Sequence, residues 1–190
     1  MDVTPELVRA AQSGDPAALE DLIAGSHRAA YTLALRLMGN PDDAAEATQE
    51  AYIRMVRSLR RFREVGAFPT WLFKIVSNVC MTEMRKRSRR DVPTEVEEME
   101  FASSEDAEEI AVGKVFWGEL ERCVHGLPEV YRSVIVLRDI YGLSGEETAD
   151  VLGVSPGAVK VRLHRARRRL RDELAGQFPE WANGDERETA

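Results

Sequence analysis

A chain of 190 residues, 44% hydrophobic and 31% charged, has room for one medium domain or two small ones and is neither wholesale disordered nor a membrane protein. No uncharged apolar run approaches the ~20 residues a spanning helix needs, and MDVTPELVRAAQSGD lacks the basic start and apolar core of a secretion signal, so a cytoplasmic protein without membrane insertion is expected. The net charge of −7 is unevenly spread: residues 1–92 carry 14 bases and 12 acids, 93–113 eight acids and no base, 114–174 11 bases and 9 acids, and 175–190 one base and four acids. Two mildly basic blocks joined by an acidic segment form a two-domain pattern, and the local charge keeps nucleic acid open as a partner.

Thr4-Pro5 and Asp15-Pro16 each read as an N-cap followed by proline at the first helical position. Beyond Asp15, Leu19, Ile23, Ala30, Leu33 and Leu37 recur on one helical face, until Gly39-Asn40-Pro41 breaks the pattern. The next helix carries Ala45, Thr48, Tyr52, Met55 and Leu59 as its buried stripe. A loop from Arg61 to Phe68 leads into a third long helix with Leu72, Ile75, Val76, Val79 and Cys80 inward. It ends in the basic run Arg85 to Arg90, where cations suit the negative end of a helix.

From Val92 to about Glu109 the chain is acidic and without period, a flexible, self-repelling linker. Helical pattern resumes with Val112, Val115, Phe116, Leu120 and Cys123, and Leu127-Pro128 opens a further helix through Val130, Val134 and Leu137. Ser144 and Glu147 form a capping box. The short helix they start, through Thr148, Ala149 and Leu152, stops at Gly153, and Val154 fills the corner. Ser155-Pro156 then begins a second helix at once, which makes a helix-turn-helix. That helix has a narrow apolar stripe, Val159, Leu163, Ala166, Leu170 and Leu174. The rest of its surface carries Lys160, Arg162, Arg165, Arg167, Arg168, Arg169 and Arg171, with no acid among them. Such a surface suits phosphates, on which cations release counterions. Residues at the start of the second helix reach base edges, so Ser155, Gly157, Ala158, Lys160, Val161 and Arg162 are candidates for reading sequence, and Arg165 and Arg168 for phosphates. Trp181 to Ala190 reads as a polar tail.

No enzyme is legible. Cys80 and Cys123 form no Cys-x-x-Cys pair and sit in apolar helical patterns as small hydrophobes. His27, His125 and His164 are scattered, and neither a phosphate-cradling glycine loop nor a base–nucleophile pair is present, so no metal, cofactor or catalytic residue is expected.

Two strings narrow the function. NPDDAAEATQEAYIRMVRSLRRFREVGAFPTWLFKIVSNVCMTEMRKR resembles domain two of the extracytoplasmic-function sigma factors, the ECF subfamily of the sigma-70 family. LPEVYRSVIVLRDIYGLSGEETADVLGVSPGAVKVRLHRARRRL is similar to that subfamily's domain four. The resemblance implies an all-α chain of two small helical domains, 1–92 and 112–175, with 93–111 as the acidic linker and 176–190 as the tail. It implies a non-catalytic factor that binds core RNA polymerase, recognises −35 and −10 promoter elements and promotes DNA melting. On that resemblance Asp42, Asp43, Glu46, Gln49 and Glu50 dock on the clamp helices of the largest subunit. Domain four meets the flap of the second subunit, and an anti-sigma protein restrains the factor. The acidic linker either threads the polymerase cleft as a mimic of nucleic acid or serves as a spacer. Phe62, Phe68 and Trp71, with Lys74, Asn78 and the basic Arg85, face the −10 element, where stacking on an aromatic ring is worth ~1–3 kcal/mol per extruded base. Large aromatics at helical spacing equally suit a core, and the two readings of Phe68 and Trp71 stay open. Pro69, Ala158 and Val161 depart from the subfamily's pattern. A free-standing helix-turn-helix regulator is the alternative, although no long apolar heptad offers the dimer such regulators use.

Overall fold

The computed structural model describes residues 1, 3–63, 67–88 and 111–177, and all regular structure among them is helical. The acidic segment and the tail beyond Gln177 lie outside the described residues, as do the side chains of Val112, Val115 and Phe116. Two compact units are present among the described residues. Helices α1 (Pro5–Ser13), α2 (Pro16–Met38), α3 (Pro41–Leu59) and α4 (Phe68–Ser88) build the first, with Ala149–Gly153. The second holds α5 (Ala111–Gly126), α6 (Glu129–Ile135), a π turn (Val136–Ile140), the start of α7 (Gly145–Leu152) and α8 (Pro156–Gln177).

The helix starts follow from local chemistry. Thr4 Oγ1 accepts from the Leu7 amide, Asp15 Oδ1 from those of Ala17 and Ala18, and Asn40 Oδ1 from that of Asp43, each with proline next in the chain. α1 and α2 end on left-handed glycines, Gly14 at φ 97° and Gly39 at φ 74°. α3 has no such stop. Its chain leaves through a tight turn in which Arg61 donates to the Ser58 carbonyl and Phe62 to the Leu59 carbonyl, 2.9 and 3.1 Å.

α2 packs against α1, α3 and α4, and α3 packs on α4. Because α2 is contacted by three helices, its buried residues centre on Ala18, Leu22, Ser26, Ala30, Leu33 and Leu37. Leu19 and Ile23, expected on the core face, are only half-buried. On α3 the core takes Ala44, Ala47, Thr48, Ala51, Tyr52, Met55 and Leu59, and Ala45, expected inward, faces solvent. An alanine methyl is too small to mark a face by itself. On α4, Phe68, Leu72, Val76, Val79 and Cys80 are buried, while Ile75 sits at the edge. Full burial of each leucine or valine contributes ~1.5–3 kcal/mol. Within this core Ser26 Oγ lies 2.8 Å from the Tyr52 hydroxyl and 2.6 Å from the Leu22 carbonyl, so the polar pair is satisfied.

In the second unit α8 packs on α5 and α6. Ser133 to Leu137 are five consecutive buried residues, a stretch enclosed on all sides. Val130, expected to point inward, lies in the first turn of α6, ahead of that stretch, and stays 47% exposed. After Ile135 the helix widens. Tyr141 donates to the Val136 carbonyl five residues back, at 3.0 Å, the spacing of a π turn. Leu143 donates to the Leu137 carbonyl, and the Arg138 guanidinium donates to the Leu143 carbonyl. The capping box forms as expected: Glu147 N donates to Ser144 Oγ at 3.1 Å, and Ser144 N to Glu147 Oε2 at 2.7 Å. Gly153 takes φ 66°, and Ser155 Oγ accepts from the Ala158 amide at 3.2 Å to start α8.

Candidate nucleic-acid interface

The first surface is a face of α4. At 100° per residue, Trp71, Lys74, Asn78 and Arg85 fall within about 60° of one another around the helix, opposite the buried Leu72, Val76, Val79 and Cys80. Asn78 and Arg85 are exposed; Trp71 and Lys74 are half-buried. Phe62, at the exit of α3, stacks on Trp71 with ring centroids 4.3 Å apart and planes 17° from parallel. Phe68 meets Phe62 edge-on at 6.3 Å and Trp71 obliquely at 5.9 Å. Its own ring is 0% exposed. Phe68 is therefore a core residue beneath the pair, which corrects its place among the base-facing aromatics. Pro69 sits in the first turn of α4, where a missing amide costs no helical bond.

The second surface lies on α3. Asp42, Glu46 and Gln49 are exposed along one face, with Glu50 beside them pairing with Arg54 at 2.7 Å. Asp43 is different. Only 9% exposed, it accepts from the two terminal guanidinium nitrogens of Arg87 near the end of α4, so its carboxylate already has an internal partner. The same face carries Ile53, 46% exposed, and Val56, 41% exposed. Apolar side chains standing open among acids and amides suit a protein partner. Sequence reasoning missed both, although each falls off the stripe of Thr48, Tyr52, Met55 and Leu59. It also missed Gln12 of α1, whose side-chain amide donates to the Leu59 carbonyl at 3.0 Å and to the Phe62 carbonyl. A polar residue next to the buried Ala11 was the available signal.

The third surface is the outer side of α8. Val159, Leu163 and Ala166 are buried and Leu170 half-buried, which turns Gly157, Val161, Arg165 and Arg168 outward. Val161 is 50% exposed, Ser155 and Lys160 are exposed, and Ala158 and Arg162 are half-buried on the flanks. The cations are not all uncompensated. Arg167 makes a two-point pair with Asp139 at 2.6 and 2.9 Å, which raises its pKa through that hydrogen bond. Arg169 lies over the Tyr131 ring at 4.9 Å, and Arg168 reaches Asp172 at 4.0 Å with both side chains exposed, a weak pair. Lys160, Arg162 and Arg165 have no ion pair among the described residues. Among those residues there is also no cluster of His, Cys, Asp and Glu suited to a metal, and no helix long and apolar enough to cross a membrane.

The Sigma-70 region 2 profile matches residues 22–90, and the Sigma-70, region 4 profile matches residues 117–170. The ECF RNA polymerase sigma factor SigE of Mycolicibacterium smegmatis is 37% identical over 175 residues, spanning 90% of this chain and 68% of that protein. The RNA polymerase sigma-H factor of Pseudomonas aeruginosa is 33% identical over 171 residues, spanning 85% and 89%. The fold is similar to that of the sigma factor RpoE of Bartonella quintana, solved with the anti-sigma factor NepR, at a TM-score of 0.62 and 24% identity over 82% of this chain and 95% of that one. With both sigma-70 regions present in order on two helical units, the chain belongs to the ECF RNA polymerase sigma factors, which join core polymerase and direct it to −35 and −10 promoter elements to begin transcription.

Proposed function

We propose that the three surfaces divide the work of initiation among them, with the chain acting as a non-catalytic adaptor in the cytosol. The single observation that carries this is the common face of α4, where the Phe62–Trp71 stack, Lys74 and Asn78 come together. Aromatic faces hold an unstacked base, a cation attracts the backbone and an exposed amide can both donate and accept. The −10 element is opened there. Arg85 lies on the same face as the candidate for flanking phosphates, with one of its guanidinium nitrogens already donating to the Leu152 carbonyl at 2.8 Å. The exposed row Asp42, Glu46, Gln49, Glu50 and Ile53 docks on the clamp helices of the largest polymerase subunit, and Asp43 supports that row from within through Arg87. The second unit meets the flap of the second subunit and sets the start of α8 in the major groove at −35.

The functional boundaries of this reading are 1–92 and 112–175, joined by 93–111 and followed by 176–190. An anti-sigma protein is the partner that would hold such a factor inactive, as NepR is found on the Bartonella RpoE. Run-off transcription with core polymerase on a promoter library tests the whole reading. Initiation at specific promoters is expected with core, and weak, salt-sensitive DNA binding without it. Tight operator-specific binding by the chain alone would favour a free-standing regulator instead.

A further inference from the structure

α3 ends without the left-handed glycine that stops α1 and α2, and its C-cap, Arg60, is right-handed. The last carbonyls of a helix lack intrahelical donors, and the turn after α3 must find them elsewhere. The amides of Arg61 and Phe62 turn back to the Ser58 and Leu59 carbonyls, and Gln12 adds two further donors from another helix. A primary amide has two N–H groups, and those of Gln12 go to the Leu59 and Phe62 carbonyls, residues 47 and 50 positions away. The Leu59 carbonyl accepts from the Phe62 amide as well, so Phe62 is tied at both its N–H and its C=O. With its backbone fixed on both sides, the Phe62 ring is aimed at Trp71, which covers one of its faces at 4.3 Å. A base stacking on Phe62 therefore takes the other face, and its position depends on that backbone.

We propose that Gln12 is a positioning residue for promoter melting, locking the exit of α3 so that the Phe62 ring is preformed to receive an extruded base. This rests on the base-capture reading above. A base released from the duplex is held only if the platform exists when it leaves, so loosening the turn slows capture without removing any group that touches DNA.

The test uses the full chain as holoenzyme with core polymerase on a duplex promoter carrying 2-aminopurine in the −10 element. Gln12→Met keeps length and apolar packing but removes both donors. Its rate of fluorescence rise should fall about tenfold, the weight of one or two neutral hydrogen bonds, while core affinity and run-off from a pre-melted template stay near those of the parent. Gln12→Lys, which restores donors, should recover most of the rate. Phe62→Ala should be impaired on the duplex, and adding Gln12→Met to it should cause no further loss. If Gln12→Met does not fold, Gln12→Glu, of equal length and without a donor, takes its place. Normal melting by the Gln12 variant beside an impaired Phe62→Ala overturns the positioning role alone. Equal losses on duplex and pre-melted templates, or loss of core binding, reduce Gln12 to general packing and overturn it too. Normal melting by Phe62→Ala overturns the base-capture reading and this inference with it.

Discussion

Asn78 stands exposed on α4 between the buried Ser77 and Val79, a place where a side chain contributes little to the core and is free to contact a ligand. Asn78→Ala should slow open-complex formation on duplex promoters with core affinity intact, and a pre-melted template should partly rescue it; loss of core binding would make the residue structural. On α8, Arg162 lies on a flank near the helix start and Arg168 almost two turns on, facing outward. A bidentate base contact discriminates by ~1–3 kcal/mol, whereas a phosphate contact carries no sequence information. Arg162→Ala should relax preference at one −35 position, and Arg168→Ala should weaken all promoters alike and flatten the salt dependence. Initiation across −35 variants decides, and identical profiles would move base reading to Lys160 or to Val161, the most exposed apolar residue of the helix. At this scale the sequence was partly legible. It could mark Asn78 as a polar residue beside an apolar stripe. It could not tell Phe68 from Trp71, because both fit helical spacing and only tertiary packing buries the first completely.

Helix boundaries were the most legible elements, since the caps are local chemistry: Thr4, Asp15, Ser144 and Ser155 all make the bonds their positions imply. The faces were less so. The α2 stripe was misplaced by one residue, at Leu19 and Ile23 rather than Ala18 and Leu22, because a helix contacted by three others has apolar residues on more than one side. The exit of α3 was illegible, because its partner Gln12 is brought in from 47 residues away. Ser155 offers an element-scale test. Ser155→Ala removes the cap of the recognition helix and should cost ~1 kcal/mol of stability in the second unit. Ser155→Asp keeps an acceptor for the Ala158 amide and should hold stability, yet it sets a negative charge at the end of α8 proposed to enter the groove and should weaken −35 binding. Denaturant melts and initiation assays on both variants separate capping from recognition; a parallel loss of stability in Ser155→Asp would contradict the capping role.

For the molecule as a whole, two helical units and a helix-turn-helix followed from periodicity, caps and local charge, while the internal engagement of Arg87, Arg167 and Arg169 needed three dimensions. Overall stability should be sensitive to alkali. Burial pushes the Cys80 thiol up from 9.0 to about 12 and raises the Tyr52 phenol as well. A raised folded-state pKa means that the folded chain holds these protons more tightly than the unfolded one. The stabilisation is complete below pH 9 and fades as pH climbs towards 12, by at most about 1.4 kcal/mol per pH unit for each group. Urea midpoints from pH 7 to pH 10.5 should fall above pH 9, and Cys80→Ala should flatten the decline; an unchanged slope would assign it elsewhere. The π turn at Val136–Ile140 has a different consequence, for insertions and deletions. A π turn is an α-helix with one residue too many, so a family member shorter by one there would keep its helicity. Because the π turn takes up its extra residue locally, through the Tyr141 amide reaching back five residues to the Val136 carbonyl, the shorter chain would also keep the phase of α6. Length here is therefore asymmetric: losing one residue from 136–140 should leave the far-ultraviolet spectrum and the second unit's urea midpoint near those of the parent, whereas adding one to a turn already widened should lower the midpoint, and equal losses for both would contradict this reading.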